Sequence, residues 1–275
     1  MDKPNWLLDI PSEEYHKATK DVEYISSHRL SIFRRCPLEY HKHITGEIPE
    51  GDTTTFLRGR MAHTLVLEGA EKFLEEYLVA SGPVNPKTDA PFSPTSKAYL
   101  DWAAAQAKPI VSPDEYAVFG QMSTAVRAHD KASELLCAGF PEGTIRAEWN
   151  GVPVQGRMDW YDPERNIIVD LKTCRDLDRF RFDIRDYGYI FQLAFYAKIV
   201  SLLNGGNVPA CWIVAMEKGE PFRCGVFSLL PFTVEEANSG CSPKMGLGNE
   251  LCLEQLKRCQ ETDVWPTRYE GFATI

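Results

Sequence analysis

The 275-residue chain predicts an α/β fold around a mixed central sheet, and three stretches carry that prediction. In the first, TIRAEW and VPVQGRMDWY are alternating segments joined by Asn150-Gly151, the dipeptide that suits a type I′ hairpin turn. The second is IIVDLKT, a β-branched run that follows the turn-like DPERN and reads as a third strand, 167 to 172. The third is YGYIFQLAFYAKIVSLLNGG, an amphipathic helix with a glycine stop, followed by PACWIVAME and FRCGVFSL as two more strands. Strands in a meander, then a helix, then further strands and flanking helices describe an α/β core with helices layered on a mixed sheet.

The front of the chain is helical. Residues 27 to 45 form two short helices split at Cys36-Pro37, with Ser27 as the expected N-cap. TTTFLRGRMAHTLVLE, residues 53 to 68, has apolar residues at helical spacing and stops at Gly69. The Pro-rich PVNPKTDAPFSP is expected to be an exposed, mobile connection, and helices near 95 to 106 and 113 to 138 follow, ended by Gly139 and Pro141. A last helix covers 249 to 261. With no repeat and no low-complexity linker, residues 1 to 275 read as one domain, mainly helical over 1 to 140 and a sheet core over 141 to 275.

Composition narrows the function classes. Hydrophobic residues make up 44%, enough for a sizeable core. No run approaches the roughly 18 apolar residues of a membrane span, and MDKPNWLLDIPSEEYHK lacks the pattern of a signal peptide, so a cytoplasmic protein without membrane contact is expected. The eight cysteines are scattered without a C-x-x-C pair, against a disulfide framework or zinc ribbon. A net charge of -9 argues against a protein coated in nucleic acid, although Arg29, Arg34, Arg35 and Lys42 form one local basic cluster and Arg175, Arg179, Arg181 and Arg185 another.

Asp170 and Lys172 interrupt the apolar third strand, and two such charges cost several kcal/mol unless compensated. Side chains two apart share a strand face, so these project together, about 7 Å apart at Cα, while Val169 and Leu171 bury on the other side. On the preceding strand Gln155, Arg157 and Asp159 share a face, and the hairpin register sets Glu148 opposite Pro153 and on that face too. Carboxylates converging in this way repel unless a divalent cation sits between them, and hard oxygen ligands suit magnesium or manganese. In isolation the D-x-K pair is equally well a structural ion pair at a strand end.

Four motifs occur in one order: Gly59-Arg60-Met61-Ala62-His63, the G-x-x-D ending at Asp159, Asp170-Leu171-Lys172, and Gln192 to Tyr196 as Q-x-x-x-Y. Their sequence resembles the PD-(D/E)XK nuclease superfamily in its RecB-like branch. The stretch IPSEEYHKATKDVEYISSHRLSIFRRCPLEYH and the VWP at 264 to 266 are similar to the RecE-type nuclease domain of exodeoxyribonuclease VIII, so the resemblance spans nearly the whole chain.

That resemblance implies an exodeoxyribonuclease acting on linear duplex DNA from 5′ ends and leaving 3′ single strands. It implies Asp159, Asp170, the Leu171 carbonyl and His63 as ligands for Mg2+ or Mn2+, two ions per site, with Lys172 orienting the attacking water. Gln192 and Tyr196 would hold the lysine or the DNA backbone, and Glu148 is a further candidate ligand from the hairpin register. Ser27, Arg29, Arg58, Arg60 and Arg175 are candidate DNA contacts. The implied assembly is a toroidal homo-oligomer, a tetramer, working with a RecT-type annealing protein. Two alternatives stay open: a Cas4-like or AddB-like nuclease with an iron-sulfur cluster on Cys36, Cys241, Cys252 and Cys259, whose wide spacing speaks against a cluster, or a non-catalytic DNA-binding or assembly module of the same fold.

Overall fold

A computed structural model describes residues 2–49, 54–242 and 246–271. The helical front comprises α1 (Ser12–Lys20), α2 (Ser27–Arg35), α3 (Pro37–Ile44), α4 (Thr54–His63), a π-helical turn (Thr64–Glu68), α5 (Gly69–Glu76), α6 (Lys97–Ala104), α7 (Pro113–Ala128) and α8 (Asp130–Leu135). Short strands lie among them: β1 (Ile25–Ser26), β2 (Leu78–Val79) paired with β5 (Ile110–Val111), and β3 (Val84–Asn85) paired with β4 (Ala90–Pro91). The second half supplies β6 (Phe140–Trp149), β7 (Val152–Asp162), β8 (Ile167–Cys174), α9 (Phe180–Asp186), α10 (Tyr189–Leu203), β9 (Ala210–Glu217), β10 (Cys224–Ser228), α11 (Pro231–Ser239), β11 (Cys241–Ser242), β12 (Gly246–Leu247) and α12 (Asn249–Thr262).

The mixed sheet predicted from the sequence is present. Its order is β1-β7-β8-β9-β10 with β6 on β7; β8 and β9 are parallel and joined through α9 and α10, while β6-β7, β7-β8 and β9-β10 are antiparallel. The β6-β7 hairpin has the expected turn, with Asn150 at φ 52° and Gly151 at φ 76°, and the expected register of Trp149 with Val152 and Glu148 with Pro153. Each sheet face covers its own apolar cluster. Ile168, Ile145 and Met158 pack beneath α10 with Leu193 and Phe195, whereas Val169, Leu171 and Val214 pack against Met61, Phe119 and Met122 of α4 and α7. Alternation along β8 therefore runs as predicted.

Several boundaries differ. Ser26, not Ser27, caps α2: its side chain accepts the Arg29 N–H at 3.3 Å, because β1 carries Ser26 in extended geometry right up to the helix. The helix predicted over 53 to 68 starts, among the described residues, at Thr54, loosens into the π turn after His63 and ends at Glu68 with Gly69 as its C-cap, as expected; the φ of 91° at Gly69 turns the chain into a separate helix, α5, that the sequence reading does not include. The helix predicted over 113 to 138 breaks at His129, whose ring nitrogen takes the Ala132 N–H and caps α8. The Pro-rich connection is exposed and contains the β3-β4 hairpin.

The N-terminal segment lies along the outer edge of β6. Leu8 and Thr144 exchange backbone hydrogen bonds of 2.8 and 3.0 Å, and the Arg157 guanidinium donates to the Ile10 carbonyl at 2.7 Å.

Candidate metal and catalytic centre

β7 and β8 pair at Trp160 with Val169, Tyr161 with Ile168 and Asp162 with Ile167, and then part. The next opposed residues on this register are Asp159 and Asp170, and no ladder joins them. Instead the Leu171 N–H donates to Asp159 Oδ2 at 2.7 Å. An extended residue points its N–H and C=O to the same edge, so the Leu171 carbonyl faces the same gap. Alternation also breaks here: Met158 and Tyr161 both pack beneath α10, and Asp159 and Trp160 occupy the irregular step between them.

Asp170 is 1% exposed, and neither of its oxygens has a hydrogen-bond donor in line; Lys172 Nζ approaches Oδ2 at 2.6 Å from the side. Burial raises the Asp170 carboxyl well above its usual range, Lys172 pulling against this and Asp159 adding to it. Lys172 is itself raised, because Asp170 and Asp159 outweigh the burial that opposes its charge. Its ammonium also lies 4.9 Å from the ring centre of Tyr189.

Across the gap, α4 presents His63, whose Nδ1 is 3.6 Å from Asp159 Oδ2. Burial disfavours the imidazolium, but Asp159 more than offsets it and the His63 value rises; Asp159, pushed up by burial, is pulled below its usual range by His63 and Lys172. The third member is Glu142. Ligand atoms of His63, Glu142 and Asp159 all lie within 4.8 Å of one another. Glu142 stands opposite Asp159 on the hairpin register, with φ of 52°, and Arg157 Nε reaches its carboxylate at 2.7 Å. Burial, then the Asp159 charge, raises its carboxyl; Glu68 on the π turn is raised by burial and by Glu142 in the same way.

This arrangement fits a divalent cation. A buried carboxylate at Asp170 whose one close partner among the described residues is Lys172 and a carboxylate-rich group with one imidazole are costly as they stand, and a cation relieves both. His63, Glu142 and Asp159 would hold it, with Asp170 and the Leu171 carbonyl on the other side of the gap.

Other expected positions fall differently. Glu148 shares the strand face of Asp159 but is exposed and lies six residues from Glu142, about 20 Å along β6, so it does not converge on the site. Gln192 and Tyr196 do share a face of α10, where the Gln192 amide donates to the Tyr196 hydroxyl at 3.0 Å and Ser27 Oγ lies 3.5 Å from that hydroxyl. Tyr196 is buried over Gly156: a Cβ there would meet its ring at 2.7 Å, so this glycine makes room for a side chain of the core. Gly59, by contrast, has open space around it. Arg29 is 2% exposed, an interior group rather than a surface charge, while Arg58 pairs with Glu115 at 2.6 Å, and Arg60 and Arg175 are exposed. Cys36 caps α3 and Cys252 and Cys259 are buried on α12; the side chain of Cys241 lies outside the described residues. Sequence reasoning missed Glu142, Glu68 and Tyr189.

The model of a family described as a PDDEXK-like domain of unknown function (DUF3799) matches residues 26–274. The chain belongs to this PDDEXK-like family. The PDDEXK of that description has its counterpart at the gap in the sheet, where the aspartate of one strand meets D-x-K on the next. A crystal structure from Eubacterium rectale named "Putative exonuclease" superimposes with a TM-score of 0.66 at 17% identity, covering 98% of this chain and 96% of that one. The crystal structure of SSO0001 aligns with a TM-score of 0.39 at 12% identity over 94% and 84% of the two chains, too remote to bear on the site. No curated protein matches the chain. Among the described residues no helix is long and apolar enough to cross a membrane.

Proposed function

We propose that this protein is a metal-dependent exodeoxyribonuclease that hydrolyses linear double-stranded DNA, 5′ to 3′, leaving 3′ single strands for a RecT-type annealing protein. The observation that carries the reading is the buried, unsatisfied Asp170 beside Lys172, set where the sheet opens next to His63, Glu142 and Asp159. Mg2+ or Mn2+ bound there, two ions in the full site, would supply hydroxide at neutral pH and neutralise charge on the phosphate. Lys172, kept charged by two carboxylates, holds the attacking water and faces the developing negative charge. Tyr189 fixes the position of the ammonium from α10, Gln192 holds the Tyr196 hydroxyl, and Arg157 holds Glu142 in place. The open face of α4 at Gly59, one helical turn before His63, leaves room for a DNA backbone.

The exonuclease name of the Eubacterium rectale neighbour is in keeping with end dependence, and the polarity rests on the RecE-type resemblance alone. The RecE-type resemblance supports a toroidal homo-oligomer, a tetramer, and a closed channel would concentrate the limited basic residues of a chain with net charge -9 around DNA. The test is digestion of linear and covalently closed duplex with Mg2+, Mn2+ or EDTA, alongside light scattering. Metal-dependent loss of linear DNA only, by an oligomer, is expected. A monomer that nicks closed circles would overturn the exonuclease reading.

A further inference from the structure

Beyond the catalytic gap, the segment from Arg175 to Tyr189 forms a surface that the reaction itself does not use. Its turn is clamped from behind. Glu217, at the end of β9, accepts the Leu177 N–H at 2.8 Å and two bonds from Arg223 at 2.7 and 3.0 Å, and Arg223 also reaches Asp178 at 3.2 Å and Asp176 at 3.8 Å. The acidic residues of the turn are thus drawn onto Arg223, and Arg185 pairs with Asp186 at 3.5 Å. Arg175, Arg179 and Arg181 remain exposed with no carboxylate partner among the described residues.

The aromatic residues of this segment face outward. Phe182 is 53% exposed and Tyr187 is 68% exposed, large apolar area for a surface with no covering element. Gly188, in the left-handed region at φ 71°, turns the chain from α9 into α10 and sets the Tyr187 and Tyr189 rings 5.8 Å apart at an interplanar angle of 34°. Since Tyr189 also lies against Lys172, an aromatic path runs from the ammonium of the site to the exposed ring of Tyr187.

We propose that Tyr187, backed by Tyr189 on a segment that also carries the exposed Arg175, Arg179 and Arg181, is a stacking platform for the unpaired terminal base of a DNA strand. The inference rests on the nuclease reading for its location but makes a separate claim: a nucleotide whose phosphate enters the gap carries its π-face toward this ring, and the segment that carries the ring offers neighbouring phosphates three exposed arginines outside the ion pairs of the described residues, against one acid so placed, Asp183. The platform favours frayed or overhanging ends over fully paired ones.

The experiment uses the full chain and duplexes carrying 2-aminopurine either at the terminal base of a short overhang or well inside the duplex, titrated in EDTA so that nothing is cleaved. Wild type is expected to quench the terminal probe and spare the internal one. Tyr187→Phe keeps the ring and retains the quenching; Tyr187→Ala and Tyr187→Leu lose it, with about 10-fold weaker binding of overhang-ended DNA. Because the side chain is exposed, unchanged thermal unfolding of the variants separates this from misfolding. Equal quenching by Tyr187→Ala and wild type would overturn the platform. Ring-dependent quenching by a protein that cleaves no DNA with either metal would sustain the platform while removing the nuclease reading.

Discussion

Asp162 and Asp170 are equally buried, each 1% exposed, on two adjacent strands of one sheet, yet their surroundings are opposite. Asp162 sits where β7 and β8 are paired, and its carboxylate accepts the N–H groups of Glu164 at 3.0 Å and Arg165 at 3.1 Å as well as the Arg165 guanidinium. Burial pushes its carboxyl up, but those donors outweigh burial and leave it below the usual range. Asp170 sits where the same strands have parted, has no donor in line, and is raised. Burial of a charge thus marks nothing by itself; a buried carboxylate left with one lysine and no other donor among the described residues marks the place where the fold leaves room for a ligand.

The strongest way to break the comparison is substitution at both ends. Asp170→Asn is expected to lower metal-dependent cleavage by roughly 10²–10³-fold or more, as is Lys172→Ala, whereas Asp162→Asn should cleave normally and lose about 1–3 kcal/mol of stability in denaturant unfolding. Comparable cleavage by Asp170→Asn and Asp162→Asn would erase the distinction. The two glutamates of β6 sharpen it: Glu142→Gln should weaken Mn2+ binding by at least ~10-fold in calorimetry, and Glu148→Gln should match wild type. Two glycines extend it to packing. Gly156→Ala meets the Tyr196 ring and should cost about 1–3 kcal/mol, while Gly59→Ala, with open space, should gain up to ~1 kcal/mol by helix propensity yet weaken DNA binding in a filter assay.

Glu217 gives the smallest effect and the clearest sign. Hydrogen bonds from Arg223 hold its carboxyl at about 2, far under the ordinary 4.5, so the stabilisation is fully present above pH 4.5 and is lost as pH falls toward 2. Unfolding of wild type and Glu217→Gln should differ at pH 7, and the difference should shrink only below pH 4.5. A constant gap down to pH 2.5 would contradict the assigned partner.

Much of this was legible from the chain. The turn dipeptide Asn150-Gly151 and strict alternation specify the β6-β7 register, and the β-branched run around Asp170 and Lys172 specifies which side chains share a face. That same register, counted six residues further from Glu148, sets Glu142 opposite Asp159; the signal was present, and what hid it was that Glu142 lies in EGT, beside Gly139 and Pro141, where a helix stop rather than a strand was expected. The parting of β7 and β8 was not legible, because no local preference distinguishes a paired from an unpaired stretch of strand. Nor was the role of Gly156, which depends on Tyr196 arriving from a helix forty residues away. The π turn after His63 and the short α9 also left no periodicity long enough to detect.

The backbone contact between Arg157 and Ile10 ties the leading segment to the chemistry. One guanidinium grips both the Ile10 carbonyl at 2.7 Å and the Glu142 carboxylate, so the leading segment acts as a stay on Glu142, a candidate ligand at the gap. Clipping that segment with a protease would free Glu142 and at the same time strip the Leu8–Thr144 bonds from β6 and the buried Leu7 and half-buried Trp6 from the core. A preparation trimmed there is therefore expected to melt earlier and to bind Mn2+ more weakly, the two losses arriving together.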